Sequence, residues 1–278
     1  MTAVGPAAWE TGGEENHEGR LAVMLQVATA AGEVTLQHFR SADLRVEAKS
    51  DDSPVTVADR AAEQWARQRI AELYPDDTVQ GEEFSEATGT SRYRWIIDPI
   101  DGTKSFICGV PLYSTLVALE LDGEPIAGVI QIPALGETVA AATGRGAWYR
   151  RSPQSDWEPA RVSEKTELGE AVLLTSQIDL FTERGAGDRF AQLQQRCWVT
   201  RTWGDGYGYL LVATGRAEVM VDACCNAWDV AAMLPILTEA GGRFTAWDGT
   251  GNCRGGDGVG SNGRVHAQVL SILAERPA

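Results

Sequence analysis

Residues 95–103 read Trp95-Ile96-Ile97-Asp98-Pro99-Ile100-Asp101-Gly102-Thr103, an apolar run that ends in two carboxylates followed by a Gly-Thr pair. Apolar residues without polar alternation suit a buried strand. Pro99 and the Asp101-Gly102 step are expected to stop it, so that both acids emerge together at the strand's end, where α/β proteins place their chemistry. Two aspartates that close repel unless something positive lies between them, and hard oxygen ligands favour Mg²⁺, Mn²⁺ or Ca²⁺ over softer metals. Gly102 permits close backbone approach to a ligand. Thr103, with Lys104 and Ser105, can open a helix whose first N–H groups face an anion. A metal beside an anion cradle points to phosphate chemistry. The plainer reading is an Asx turn and a helix cap, the usual fate of Asp-Pro and Asp-Gly steps.

Three further acidic segments bear on that choice. Gly81-Glu82-Glu83 follows a Pro-Asp-Asp turn and a strand-like piece over 78–80, and presents a third carboxylate. Ser53-Pro54-Val55-Thr56-Val57-Ala58-Asp59 places a fourth at the head of a helical stretch, and Asn226-Ala227-Trp228-Asp229 does the same for the run 230–240. Any one of these alone reads as a helix cap. Together they favour a shared site.

In these motifs, with Glu239-Ala240-Gly241-Gly242, the chain resembles the lithium-sensitive, Mg²⁺-dependent inositol monophosphatase superfamily of phosphomonoesterases, over about residues 23–273. The resemblance implies that Glu82, Asp98, the carbonyl of Ile100 and Asp101 hold one Mg²⁺ and that Asp98, Asp101 and Asp229 hold a second. Asp59 matches the position of a third, weaker ion; Mn²⁺ is an alternative metal. Thr103 with Glu82 would orient the attacking water, and Gly102 and Thr103 would offer backbone N–H groups to phosphate. The roles make physical sense, because paired metals lower the pKa of a bound water and neutralise charge on the attacking and leaving oxygens. No histidine is required, and His17, His38 and His266 all lie away from the motifs. No Cys-x5-Arg phosphate loop is present either. The contrasting class is a noncatalytic cation-binding regulatory protein. The complete set of Glu82, Asp98, Asp101, Asp229 and Thr103 speaks against it.

Residues 201–215 read as a strand end, a glycine turn and a helix, and carry Asp205, Tyr207 and Tyr209. In inositol-type members this turn is small and neutral, so the segment looks more like the histidinol-phosphatase branch. Histidinol phosphate bears an ammonium and an imidazole, which an acid and aromatic faces suit. Asp205 is therefore a candidate substrate contact; Asp222 matches the family's substrate-contacting acid, for a hydroxyl or an ammonium, and Arg201 is a candidate contact to phosphate. Asp205 can equally be a helix cap, the tyrosines packing residues, and Arg201 half of a salt bridge. Inositol 1-phosphate, or another sugar or nucleotide phosphate, is the alternative substrate.

The net charge of −15 argues against nonspecific nucleic-acid binding and polybasic membrane attachment. No stretch approaches the ~20 apolar residues of a membrane span, and the start lacks a signal-peptide pattern, so a cytoplasmic protein is expected. Five cysteines without a Cys-x-x-Cys pair indicate neither a disulfide framework nor a zinc site. Residues 1–17 are expected to form a mobile tail, 18–150 an α+β half with most metal ligands, and 151–278 an α/β half with Asp229 and the substrate contacts. Residues 150–160 mark the boundary. Strands over 112–121, 126–132 and 138–142 predict an antiparallel meander, and a polar helix is expected near 183–195. The resemblance implies an α/β fold, a layered α/β/α/β/α sandwich of the inositol monophosphatase/fructose-1,6-bisphosphatase type, and a homodimer acting on a small phosphorylated alcohol.

Overall fold

The computed structural model describes residues 5–9, 17–42, 44–48 and 54–274; Ser53, which opens one acidic motif, lies outside them. In chain order, α1 (Pro6–Trp9) starts with proline at a position that needs no N–H, and α2 (His17–His38) follows. α2 buries Leu21, Met24, Ala28, Ala31 and Thr35, a stripe at three- and four-residue spacing. Trp9 is 1% exposed and packs in the same core, so the segment expected as a mobile tail contains a docked indole; residues 1–4 and 10–16 lie outside the described residues.

A two-stranded ribbon, β1 (Val46–Ala48) and β2 (Pro54–Thr56), leads into α3 (Val57–Leu73), which ends just before Pro75. Next come β3 (Thr78–Gly81), β4 (Tyr93–Asp101), α4 (Thr103–Ile107), β5 (Ser114–Leu121), β6 (Glu124–Ile132), β7 (Glu137–Ala142), β8 (Ala147–Arg150) and β9 (Glu158–Pro159). These seven strands form one sheet in the order β3-β4-β5-β6-β7-β8-β9, parallel at β3–β4 and antiparallel elsewhere. Asp122 and Gly123 both take positive φ between β5 and β6, which is the turn geometry that matches strand twist in a two-residue hairpin.

The chain continues through β10 (Val172–Leu174), α5 (Asp179–Glu183), α6 (Gly187–Arg196), β11 (Val199–Arg201), α7 (Asp205–Ala213), β12 (Val219–Asp222), α8 (Ala227–Val230), α9 (Met233–Glu239), β13 (Arg243–Thr245), β14 (Gly258–Ser261) and α10 (His266–Ala274). Its five strands form a mixed sheet in the order β11-β10-β12-β14-β13. The polar helix expected near 183–195 is α6, which starts later, at Gly187, because Gly185 takes φ +70° between it and α5.

The layers follow from which face each side chain buries. Trp95 and Ile97 of β4 pack with Val117, Val129 and the α2–α3 side; Ile96 packs with Leu116, Ile130 and the α7–α9 side. A strand covered on both faces needs apolar residues at every position, which explains the unbroken run. α7 and α9 fill the space between the sheets, and α5, α6 and α10 cover the far face of the five-stranded sheet through Phe181, Phe190 and Ile272. The result is the expected α/β/α/β/α order.

One local expectation fails usefully. β4 does not stop at Pro99 but runs to Asp101, and its register against β5 shifts between Asp98 and Asp101. Proline, lacking a donor, is tolerated in such a bulge, and Thr115 Oγ1 donates to the Pro99 carbonyl at 2.8 Å. In a regular strand, residues three apart face opposite sides. The bulge turns both carboxylates to the same side.

Packing between layers is tight where α9 meets β6: a Cβ on Gly128 would lie 2.4 Å from the Ala232 carbonyl oxygen. Gly128→Ala is expected to lower unfolding stability by about 1–3 kcal/mol in urea titration, because backbone must shift. An unchanged midpoint would show that this contact yields freely.

Candidate active site

β4, α3, α4 and α8 converge at one end of the large sheet, and each supplies an acid or a hydroxyl. The first turn of α3 is closed by a capping box in which Asp59 Oδ2 accepts from Thr56 N at 2.8 Å and Thr56 Oγ1 at 2.5 Å. Asp229 closes the corresponding box on α8, its Oδ2 accepting from Asn226 N at 2.6 Å. A cap role leaves room for a site role in these acids, because a cap uses one carboxylate oxygen. Asp98 Oδ1 accepts from Ile100 N at 3.0 Å. Asp101 Oδ2 accepts from Ser114 Oγ at 2.7 Å and from Gly206 N at the start of α7. Each acid is therefore held by the fold through at least one oxygen. Carboxylate oxygens of Asp98, Asp101 and Asp229 lie within 4.8 Å of one another.

Thr103 opens α4 with its hydroxyl donating to the Ile100 carbonyl at 3.1 Å and standing 3.5 Å from Asp59 Oδ1. Gly102 before it takes φ +84°, and a Cβ there would sit 2.5 Å from Asp205 Oδ2, so both conformation and space call for glycine. Glu82 follows β3 and lines the same cleft.

The electrostatics fit a cation. Burial, then the charges of Glu82, Asp101, Asp229 and Asp59, push Asp98 well above the carboxylate range. Asp101 is raised by burial and by Asp205 and Asp229, against the hydrogen bonds from Ser114 and Gly206. Asp229 is pushed up to about 7, by burial first and then by Glu82 and Asp222, and burial raises Asp59 as well. Lys104 is the basic side chain among the cleft-lining residues, and its Nζ donates to Gln177 Oε1 at 2.6 Å. Carboxylates packed this closely present an all-oxygen, hard-ligand set with uncompensated charge, which is what a divalent metal ion requires.

The cleft has a volume of about 310 Å³ and extends from the acids past Ser176 and Gln177 to Asp205, Tyr209 and Asp222. Asp222, at the end of β12, accepts from Ser176 N (3.2 Å), Ser176 Oγ (2.7 Å) and the Tyr209 hydroxyl (2.9 Å). Asp205 is not the cap of α7. Gly204 occupies that position, and Asp205 takes φ +56°, an uncommon conformation for a residue with a side chain, while its N–H donates to Ser176 Oγ. Burial, with the Asp222 charge, pushes Asp205 up to about 6. Tyr209 lines the cleft and Tyr207 does not. Arg201 is also outside the cleft lining. It is exposed on the edge strand β11, donating to the Thr200 carbonyl, with its guanidinium 5.9 Å from the Trp203 ring centre.

Sequence reasoning missed Ser114 and Ser176, which orient Asp101 and Asp222. Isolated serines carry no motif; only the register that sets Ser114 opposite Asp101 reveals it. Cys224 and Cys225 line the cleft as free thiols, Cys225 buried and raised far above its usual range by that burial.

The inositol monophosphatase family model matches residues 16–277. A histidinol-phosphatase of Chlorobaculum parvum is 43% identical over 254 residues, 91% of this chain and 96% of that protein. A histidinol-phosphatase of Mycobacterium tuberculosis is 40% identical over 255 residues, 91% of this chain and 97% of that protein. Among solved structures, the IMPase of Thermotoga maritima superposes with a TM-score of 0.81 at 32% identity, covering 91% of this chain and 96% of that one.

The raised carboxylates set a pH signature. A carboxyl whose folded pKa exceeds its unfolded value of about 4 stabilises the folded state below that value, and the contribution is lost as pH rises through the folded pKa. With Asp205 at about 6 and Asp229 at about 7, the metal-free protein is expected to lose stability between roughly pH 4 and pH 7, on the order of a few kcal/mol. A divalent cation should flatten that decline. Thermal melts from pH 5 to 8 with chelator and with metal check this, and a metal-free Tm that rises across the range would contradict it.

Proposed function

The chain belongs to the inositol monophosphatase family, and from that premise we propose that it is a Mg²⁺-dependent phosphomonoesterase that hydrolyses histidinol phosphate to histidinol and phosphate. The observation that carries the choice of substrate is the acidic far end of the cleft. Asp205 and Asp222 lie side by side there, and the lysine that lines the cleft is engaged by Gln177. A polyol phosphate bears only hydroxyls at that end, whereas an amino alcohol phosphate brings a cation to offset the pair. The names of the Chlorobaculum and Mycobacterium relatives point the same way.

The metal ligands in this reading are Glu82, Asp98, the carbonyl of Ile100, Asp101 and Asp229, with Asp59 at a weaker position, for two or three ions in all. Mn²⁺ is a workable substitute, since the donor set is entirely oxygen. Bound there, such ions supply charge neutralisation for the phosphoryl group and acidify water. The chain's own groups do the rest. Glu82 and the Thr103 hydroxyl orient the attacking water; Asp59 and the Ile100 carbonyl set the rotamer of that hydroxyl. Gly102 and Thr103 direct backbone N–H groups toward phosphate, and the αL conformation of Gly102 opens the room for it. Asp205 and Asp222 receive the ammonium and imidazole. A cation beside Asp205 lowers its pKa from about 6, so substrate binding favours the ionised form. Arg201 plays no part within one chain.

The reading extends to a cytoplasmic homodimer. The support for the dimer is the family resemblance. Among the described residues no helix is long and apolar enough to cross a membrane.

Phosphate release from histidinol phosphate and from inositol 1-phosphate, with Mg²⁺ and with chelator, tests the proposal. A Mg²⁺-dependent kcat/KM at least ~10-fold higher for histidinol phosphate is expected. Higher turnover of inositol 1-phosphate would move the enzyme to the alternative substrate. Asp101→Asn should lower kcat by about 100-fold or more for either substrate, and wild-type activity in that variant would refute the metal assignment. Asp205→Ala should cost about 10- to 100-fold in kcat/KM for histidinol phosphate and far less for inositol 1-phosphate; equal losses would make Asp205 structural.

A further inference from the structure

Glu63 lies one helical turn beyond Asp59 on α3, is 0% exposed and does not line the cleft. A buried carboxylate needs donors, and Glu63 finds them in the loop that carries Glu82. Its Oε2 accepts from Glu83 N at 2.7 Å, and its Oε1 accepts from Phe84 N at 3.3 Å. Arg67, a further turn along α3, completes the arrangement. Its Nε donates to Glu63 Oε1 at 2.6 Å, and its two other nitrogens donate to the carbonyls of Val79 at 3.3 Å and Phe84 at 2.9 Å. The pair therefore grips the loop on both sides of Glu82, from β3 before it to Phe84 after it. The Gly81 backbone is pressed against Glu63 so closely that a Cβ would fall 2.0 Å from Oε1.

We infer that Glu63 and Arg67 are positioning residues that fix the backbone of Glu82 at the metal site and so set its affinity for the divalent cation. The inference rests on the reading of Glu82 as a ligand. Helix α3 is then a single rigid element that sets two acids at once, Asp59 directly and Glu82 through the clasp. A flexible loop would otherwise leave Glu82 to be ordered at each binding event, in a field of like charge that disfavours it. Residues that orient a metal ligand typically carry a 10- to 100-fold share of affinity.

Mn²⁺ binding to the full-length protein, read from the EPR signal of the free ion, tests this with three variants. In Glu63→Gln the side chain keeps its size but turns an NH₂ toward one of the two amides. Glu82→Gln removes the ligand itself. Glu239→Gln is the matched control, since Glu239 also accepts from two backbone amides, Gly144 N and Gly146 N, both at 2.8 Å, at a distant point of the fold. The expected result is Mn²⁺ affinity weakened about 10-fold or more in Glu63→Gln and in Glu82→Gln, unchanged in Glu239→Gln, with the same far-UV circular dichroism in all. Loss in Glu82→Gln but wild-type affinity in Glu63→Gln overturns the clasp and leaves the ligand reading standing. Wild-type affinity in Glu82→Gln overturns both. Equal loss in Glu239→Gln also overturns the clasp, because the effect would then be general. If Glu63→Gln does not fold, Arg67→Lys decides by the same criteria, since it keeps the charge beside Glu63 and loses the fork to the two carbonyls.

Discussion

Repulsion among Asp98, Asp101 and Asp229 is the constraint on which the rest of this structure depends. Carboxylates within 4.8 Å of each other, Asp98 and Asp101 buried and Asp229 half-buried, are not stable as neighbouring anions without a counter-charge. The fold tolerates them by giving each at least one protein donor: Ile100 N for Asp98, Ser114 Oγ and Gly206 N for Asp101, Asn226 N for Asp229. These bonds fix direction more than they neutralise charge. The remaining imbalance makes the site a trap for a hard divalent cation, and it makes the metal-free protein sensitive to pH.

The five layers serve that arrangement. The acids come from elements distant in the chain, and only a sheet covered on both faces holds them in register. β4 contributes two of them through its bulge, and α7, packed between the sheets, closes on Asp101 through the N–H of its second residue, Gly206. The same helix start carries Asp205, so Asp101 and the proposed substrate contact are tied through adjacent residues. A change in the seating of α7 would disturb both at once. Asp222 belongs to the other sheet, and Ser176 connects it to the Asp205 backbone, so the far wall of the cleft is one hydrogen-bonded unit.

Much of this was legible in sequence because it is local. The apolar run of β4, the acids after it, the cap-like placement of Asp59 and Asp229, and the meander of β5 to β7 all depend on spacing and turn chemistry. Pro99 misled as a strand terminator, since proline ends strands in general but is tolerated in a bulge, and bulges leave no composition signal. Trp9 could not be read from a Gly- and Glu-rich segment without knowing what it packs on. Arg201 looked useful because it lies near Asp205 in the chain, yet it is exposed on an edge strand and outside the cleft lining. Ser114, Ser176 and Glu63 act through long-range register and had no motif to announce them; Glu63 alone left a trace, in its four-residue spacing from Asp59.

Anomalous diffraction from crystals grown with Mn²⁺ and inorganic phosphate tests the central claim most directly. The account predicts Mn²⁺ peaks within ligand distance of Asp98, Asp101 and Asp229, one of them shared with Glu82, with phosphate beside Gly102 and Thr103. A cluster that stays free of metal at saturating Mn²⁺, or metal bound elsewhere while phosphate occupies the cleft, would contradict it.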